Sequence, residues 1–134
     1  MKIVVDAMGG DHAPEAAVEG AVMAAREYET EIILTGLSDQ IHSILNRLDP
    51  DHHLSIQVVH ADEVVEMHDS PSKGLRSKRK SSMKIGLDLV KEGTASAFLS
   101  AGNTGAVLAY STIILRPLKG VDRPAIAIQL PTLK

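Results

Sequence analysis

The apolar run Ala97-Phe98-Leu99 leads through Ser100-Ala101 into Gly102-Asn103-Thr104-Gly105, directly ahead of a second apolar segment. That order predicts a strand, a tight turn and a helix start able to hold an anion. Glycine lets the main chain approach a ligand closely, and the first turn of a helix offers unpaired N–H groups with partial positive charge. A related turn stands at the N-terminus, where Ile3-Val4-Val5-Asp6 runs into Ala7-Met8-Gly9-Gly10-Asp11-His12-Ala13-Pro14, with Pro14 in the first turn of a helix. Ligands of open α/β sheets bind outside the carboxyl ends of the strands, so the two turns are expected to share one crevice. Gly102, Asn103, Thr104 and Gly105 would bind phosphate or a developing oxyanion on one wall. Asp6, Gly9, Gly10 and His12 would shape the other.

Asp6, His12 and Asn103 are the candidate catalytic residues. A carboxylate at a strand end can orient a donor or act as a base, and positioning is the favoured role for Asp6. His12 can donate to an anion when protonated or hold a loop when neutral. Each glycine could instead serve only turn geometry and close helix packing. Neither turn has the full Gly-x-Gly-x-x-Gly spacing, so a dinucleotide site is the weaker reading. The alternative of another class is a non-catalytic nucleotide- or anion-binding module. His42, His52, His53, His60 and His68 show no metal-ligand spacing and there is no cysteine, so neither metal nor cofactor is expected.

Charge is unevenly spread. Lys73, Arg76, Lys78, Arg79, Lys80 and Lys84 fall in one stretch without an acidic residue, although the net charge is −3. A charge run is usually a solvated face. As a site, Lys73, Arg76, Arg79 and Lys80 would dock an acidic protein or steer phosphate. Nucleic acid is disfavoured, because single-strand readers interleave aromatic residues and duplex readers carry a broader basic footprint. Phe98, Tyr28 and Tyr110 are the whole aromatic set.

Positioning these residues requires a scaffold, and 134 residues suffice for one domain that buries roughly two thirds of its unfolded surface. Short apolar runs alternate with segments of helical period, the pattern of an α/β fold with a mostly parallel sheet and helices on both faces. Strands are expected near Lys2 to Asp6, Glu31 to Thr35, Leu54 to His60, Ser96 to Ser100 and Ala125 to Leu130. Ile41, Ile44, Leu45 and Leu48 predict a helix capped by Ser38 and ending before Pro50. Met83, Leu87 and Val90 predict another, capped by Ser81 or Ser82 and stopped by Gly93, with Gly86 allowing close packing on its buried face. Further helices are expected from Pro14 to about Tyr28 and from about Thr104 to Leu115. Ala61 to Lys80 reads as one long irregular segment, of a length that is usually functional or disordered. The strand expected at Ala125 to Leu130 would expose an edge, the mark of a fragment or truncated form. No internal boundary, signal peptide or membrane span is read, and the cytoplasm is the expected compartment.

Val5-Asp6-Ala7-Met8-Gly9-Gly10-Asp11-His12-Ala13-Pro14, Ser100-Ala101-Gly102-Asn103-Thr104-Gly105-Ala106 and Gly120-Val121-Asp122-Arg123-Pro124-Ala125 together closely resemble the PlsX phosphate acyltransferases of bacterial phospholipid synthesis. His60-Ala61-Asp62-Glu63-Val64-Val65, Asp69-Ser70-Pro71 and Arg79-Lys80-Ser81-Ser82-Met83 fit the same pattern, whereas Gly74 and the segment around Arg76 to Lys80 depart from it. The resemblance implies transfer of a fatty acyl group from acyl carrier protein to inorganic phosphate, and a fold similar to isocitrate and isopropylmalate dehydrogenases and phosphotransacetylase. It further implies a homodimer and peripheral membrane association in the full-length family. Members are more than twice as long, so residues 1–134 correspond to the N-terminal α/β portion, expected to be inactive or nearly so alone. Phosphate is itself the nucleophile in such a reaction, so no serine or cysteine triad is needed. An acidic carrier protein suits the basic loop.

Overall fold

A computed structural model describes residues 1–70, 74 and 77–127. Strands β1 (Lys2–Asp6), β2 (Glu31–Gly36), β3 (Ile56–His60) and β4 (Ala97–Leu99) join in the order β3-β2-β1-β4, with every pairing parallel. Parallel neighbours need crossovers, and helices α1 (Glu15–Tyr28), α2 (Ser38–Leu48), α3 (Ser82–Lys91) and α4 (Thr104–Ile114) alternate with or follow the strands. This is the α/β architecture expected from the alternating periods.

The two-residue period of the strands sorts the core into two layers. Val5, Ile32 and Leu34 face α1 and α2, where they pack against Val18, Ala21, Val22, Ala25, Ile41, Ile44 and Leu45. Val4 and Ile33 face the opposite layer with Ala95, Phe98, Leu89 and Val90. There α3 and α4 meet through Met83, Leu87, Ala106, Tyr110 and Ile114. Full burial of a Leu, Ile or Val side chain is worth roughly 1.5–3 kcal/mol, so these two layers dominate the stability.

Several local details differ from expectation. Ser38 is the first residue of α2 rather than its cap. Leu37 holds the cap position without a side-chain bond, and the Ser38 N–H and hydroxyl both meet His60 Nδ1, the hydroxyl at 2.8 Å. Pro14 sits at the cap of α1, after a cis peptide bond, not within the first turn. Ser81 does cap α3, accepting from the Lys84 N–H at 3.3 Å, and Gly93 follows its end with φ 77°. Residues 125–127 are exposed and carry no strand, and the rest of that expected strand lies outside the described residues. Within the segment read as irregular, Gly74 and Ser77 are helical, and the Lys78 N–H donates to the Gly74 carbonyl at 2.8 Å.

Gly86 explains how closely α3 approaches the sheet. A Cβ built there would lie 2.5 Å from Phe98 Cε2 and 3.1 Å from Val4 Cγ1. Substitution by alanine gains about 1 kcal/mol of helix propensity but meets an overpacking cost of roughly 1–3 kcal/mol. Gly86→Ala should therefore lower the urea unfolding midpoint; a raised midpoint would show that α3 has room to move outward.

Candidate active site

β1 and β4 are neighbours whose chains leave in opposite directions: β1 leads to α1 on one face and β4 to α4 on the other. Such a divergence opens a crevice at the carboxyl ends of the two strands. The register Val5↔Leu99 brings Asp6 and Ser100 side by side at that edge.

Asp6 is 3% exposed, and its carboxylate joins the two glycine turns. The Met8 N–H donates to Oδ1 at 3.1 Å and the Ser100 hydroxyl to Oδ2 at 2.8 Å. Ser100 Oγ in turn accepts from the Gly102 N–H at 3.1 Å. Gly9 completes the joint, since a Cβ there would lie 2.5 Å from Ser100 Oγ and 3.0 Å from both Asp6 Oδ2 and the Gly102 nitrogen. Only glycine fits between the turns. Burial pushes the Asp6 carboxyl above the ordinary value of 3.8, opposed by the Ser82 and Ser100 hydroxyls and the Met8 N–H. The Ser82 hydroxyl neighbours this carboxyl short of good hydrogen-bond geometry.

The predicted site residues divide by their partners. The Gly102 N–H is engaged within the joint. Asn103 caps α4, its Oδ1 accepting from the Ala106 N–H at 3.0 Å. Its Nδ2 donates to the Met67 and Asp69 carbonyls, each at 3.0 Å, and so draws residues 66–69 over the turn. Thr104 and Gly105, the first residues of α4, are exposed. Gly9, Gly10 and His12 line a cavity of about 280 Å³ with Ala101. A more polar cavity of about 540 Å³, lined by Met8, Leu37, Glu66 and His68, shares Gly10 and Asp11 with it. Among the described residues no group of three or more His, Asp and Glu side chains could hold a metal ion.

Among the described residues of the basic segment, Lys78, Lys80 and Lys84 are paired. Lys80 Nζ meets Asp62 Oδ2 at 3.0 Å, which lowers the Asp62 carboxyl and raises the Lys80 ammonium. Lys78 pairs with Asp69, whose carboxyl it lowers, and Lys84 pairs with Asp88. Arg79 is exposed, without a hydrogen bond or ion pair among the described residues. Lys73 and Arg76 lie outside those residues. Sequence reasoning missed the roles of Ser100 and of the Met67 and Asp69 carbonyls. Ser100 carried a usable signal, a small hydroxyl at a strand end beside a second strand ending in Asp.

The family described as "Fatty acid synthesis protein" matches residues 1–134. The phosphate acyltransferase of Clostridioides difficile (strain 630) is 46% identical over 134 residues, which cover 100% of this chain and 39% of that protein. That of Koribacter versatilis (strain Ellin345) is 48% identical over 132 residues, 98% of this chain and 37% of the relative. That of Pelobacter propionicus (strain DSM 2379) is 50% identical over 137 residues, 100% of this chain and 38% of the relative. The chain thus spans about two fifths of the length of these curated relatives.

The Asp6 joint predicts a pH effect of definite sign. A folded-state pKa raised above 3.8 means that the native chain binds the proton more tightly, so this group's contribution to stability falls as pH rises from 3.8 through its folded pKa. Asp6→Asn removes that penalty while losing an acceptor for one of two donors. Its Tm relative to the parent should climb across that window and then level off, and a flat or falling difference would refute the assignment. Asn103→Ala should cost about 1 kcal/mol for the lost cap and speed amide exchange at residues 66–69. Unchanged exchange there would remove the tethering role.

Proposed function

This chain belongs to the fatty acid synthesis protein family, and from that premise we propose that its switch-point crevice transfers a fatty acyl group from a carrier-protein thioester to inorganic phosphate. The single observation that carries the reading is the contact of two glycine turns at one sheet edge, held by Asp6 and Ser100, beside the exposed start of α4. A phosphate oxygen would attack the thioester carbonyl, forming a C–O bond; the C–S bond breaks and the carrier thiolate leaves to take up a proton. Phosphate supplies the nucleophile, so the protein's task is to place the anion and stabilise the oxyanion.

In this reading the N–H groups of Thr104 and Gly105, the exposed residues that begin α4, take the phosphate or oxyanion charge. Gly9 and Gly10 allow close approach from the other wall. Asp6 and Asn103 act as positioning residues, one fixing the turns and the other the loop above them. His12 lies beside Gly9 and Gly10 in the cavity wall and would donate to the anion when protonated. Arg79 offers an exposed cation for an acidic carrier, next in sequence to Lys80, which is paired with Asp62; Lys73 and Arg76, expected to dock the same carrier, lie outside the described residues. The family resemblance further supports a homodimer, a cytoplasmic location and peripheral membrane association for the full-length protein. No helix among the described residues is long and apolar enough to cross a membrane.

Thr104→Pro tests the assignment of this helix start. Proline is tolerated at the first helical position, and the preceding Asn103 already has φ −58° and ψ 106°, the extended conformation that proline requires before it. The substitution deletes the backbone N–H together with the side-chain hydroxyl of residue 104. In the full-length protein, assayed for acyl phosphate from an acyl carrier thioester and phosphate, it should raise the KM for phosphate by about tenfold or more with little change in Tm. Formation of acyl phosphate with an unaltered phosphate dependence would sink the assignment of this helix start.

A further inference from the structure

An apolar groove leads away from the joint along one flank of α1. Its volume is about 370 Å³, and Asp6, Ser100 and Ala101 close its near end while Tyr28 and Thr30 stand at its far end. Between them the floor is Ile3, Val5, Ile32 and Leu99 of the sheet, and the side wall is the small-residue flank of α1, Ala17, Gly20 and Ala24. Leu99 is 60% exposed although its register partner Val5 is buried under α1, so the sheet face over β4 is open where the face over β1 is covered. Ala16, Ala17 and Ala101 are shared with the cavity that Gly9, Gly10 and His12 line, which makes the groove continuous with the candidate anion site.

We propose that this groove holds the hydrocarbon tail of the acyl substrate, with the reacting carbonyl at the Asp6–Ser100 end; the proposal rests on the acyl-transfer reading. The chemistry of the walls selects the occupant. An apolar channel with polar groups at one end complements an amphiphile with one polar head and one apolar tail. Its wall length also fits. From Ala16 to Tyr28 the helix rises about 18 Å, the scale of an extended long-chain acyl group rather than of a small anion or a short acid. A Cβ at Gly20 would meet no atom within 4 Å, so glycine there preserves free width instead of relieving a packed contact. Gly20 is also exposed, so the groove opens to solvent at this point.

The variant Gly20→Leu fills the groove one helical turn beyond Ala16, about 6 Å along the axis, past the reach of a butyryl tail but within the path of a palmitoyl one. Gly20→Ala serves as the folding control, since a methyl group fits the open space and favours the helix. In the full-length protein, Gly20→Leu should lower kcat/KM for palmitoyl carrier thioester by about tenfold, the worth of roughly two buried methylenes, and leave butyryl thioester within about twofold. Equal losses for both thioesters, or no loss for either, would overturn the proposal. Equal losses with a lowered Tm are the result expected if the groove is instead filled by other protein, a second copy of the chain included. Direct binding of the fluorescent fatty acid cis-parinaric acid separates the groove from the transfer reaction. Binding by the parent that Gly20→Leu weakens about tenfold supports the channel even if no acyl phosphate forms, in which case the transfer reading alone fails. Absence of binding, or binding that both proteins share, refutes the channel.

Discussion

The Asp6 carboxylate receives the Met8 N–H from its own turn and the Ser100 hydroxyl from the neighbouring strand, and Ser100 Oγ holds the Gly102 N–H. Two connections that leave the sheet on opposite faces are thereby fixed to each other at a single carboxyl group. Hydrogen bonds to a charged group contribute about 1.5–3 kcal/mol each, whereas burying the charge costs several kcal/mol. Hydroxyl and N–H donors offset that cost only in part, which is why burial leads the upward shift of this carboxyl. A chain selected for stability alone would place an apolar residue here. Retaining Asp6 makes sense if the geometry of the two turns matters more than the energy lost in fixing it.

The same joint determines where the long segment after β3 can lie. Asn103, which holds the Met67 and Asp69 carbonyls, follows directly on the Gly102–Ser100 bond and is fixed in turn by its own cap to the Ala106 N–H. At the segment's other end, Glu63 and Ser81 form an isolated parallel bridge, and the Lys80 N–H meets the Glu63 carboxylate at 2.7 Å. Asp62 and Asp69 then take up Lys80 and Lys78. Acidic residues from the first part of the segment thus neutralise bases from its second part. The local field is weaker than the run of bases implies, and Arg79 remains outward.

The layers of this fold were legible because their cause is local in sequence. Val4 and Ile33 against Val5 and Leu34 declare two faces by alternation, and Ile41, Ile44 and Leu45 declare one helical stripe. The glycine turns were legible for the same reason, and even Gly86 signalled close packing. What stayed hidden depended on partners distant in the chain. Ser38 has the composition of a cap, but His60, 22 residues on, replaces it by accepting the Ser38 N–H. Asn103 looks like a free polar side chain until residues 66–69 occupy its amide. Ser100 reads as an ordinary strand end until Asp6, 94 residues earlier, receives its hydroxyl. Periodicity reports which face a residue shares; it carries no information on which polar atom across the fold will meet it.

Gly86 and Asp6 are usefully considered together, although one lies in the middle of α3 and the other at the end of β1. Each departs from its local rule, a glycine inside a helix and a carboxylate inside a core. With no Cβ at residue 86, α3 lies directly on Val4 and Phe98. That approach carries its first turn, with Ser81 and Ser82, into the buried layer, and Ser82 reaches the neighbourhood of the Asp6 carboxyl. The first turn of α3, the positive end of its dipole, is thereby brought near the Asp6 carboxylate through Ser82, a favourable arrangement that requires no cation. Withdraw α3 by the width of a methyl group and this support weakens, the carboxyl becomes harder to ionise, and the Ser100 bond loses part of its charge assistance. The helix glycine and the strand aspartate are therefore two parts of one device, and the shape of the crevice between the two turns depends on how closely a helix on the opposite side of the sheet is allowed to pack.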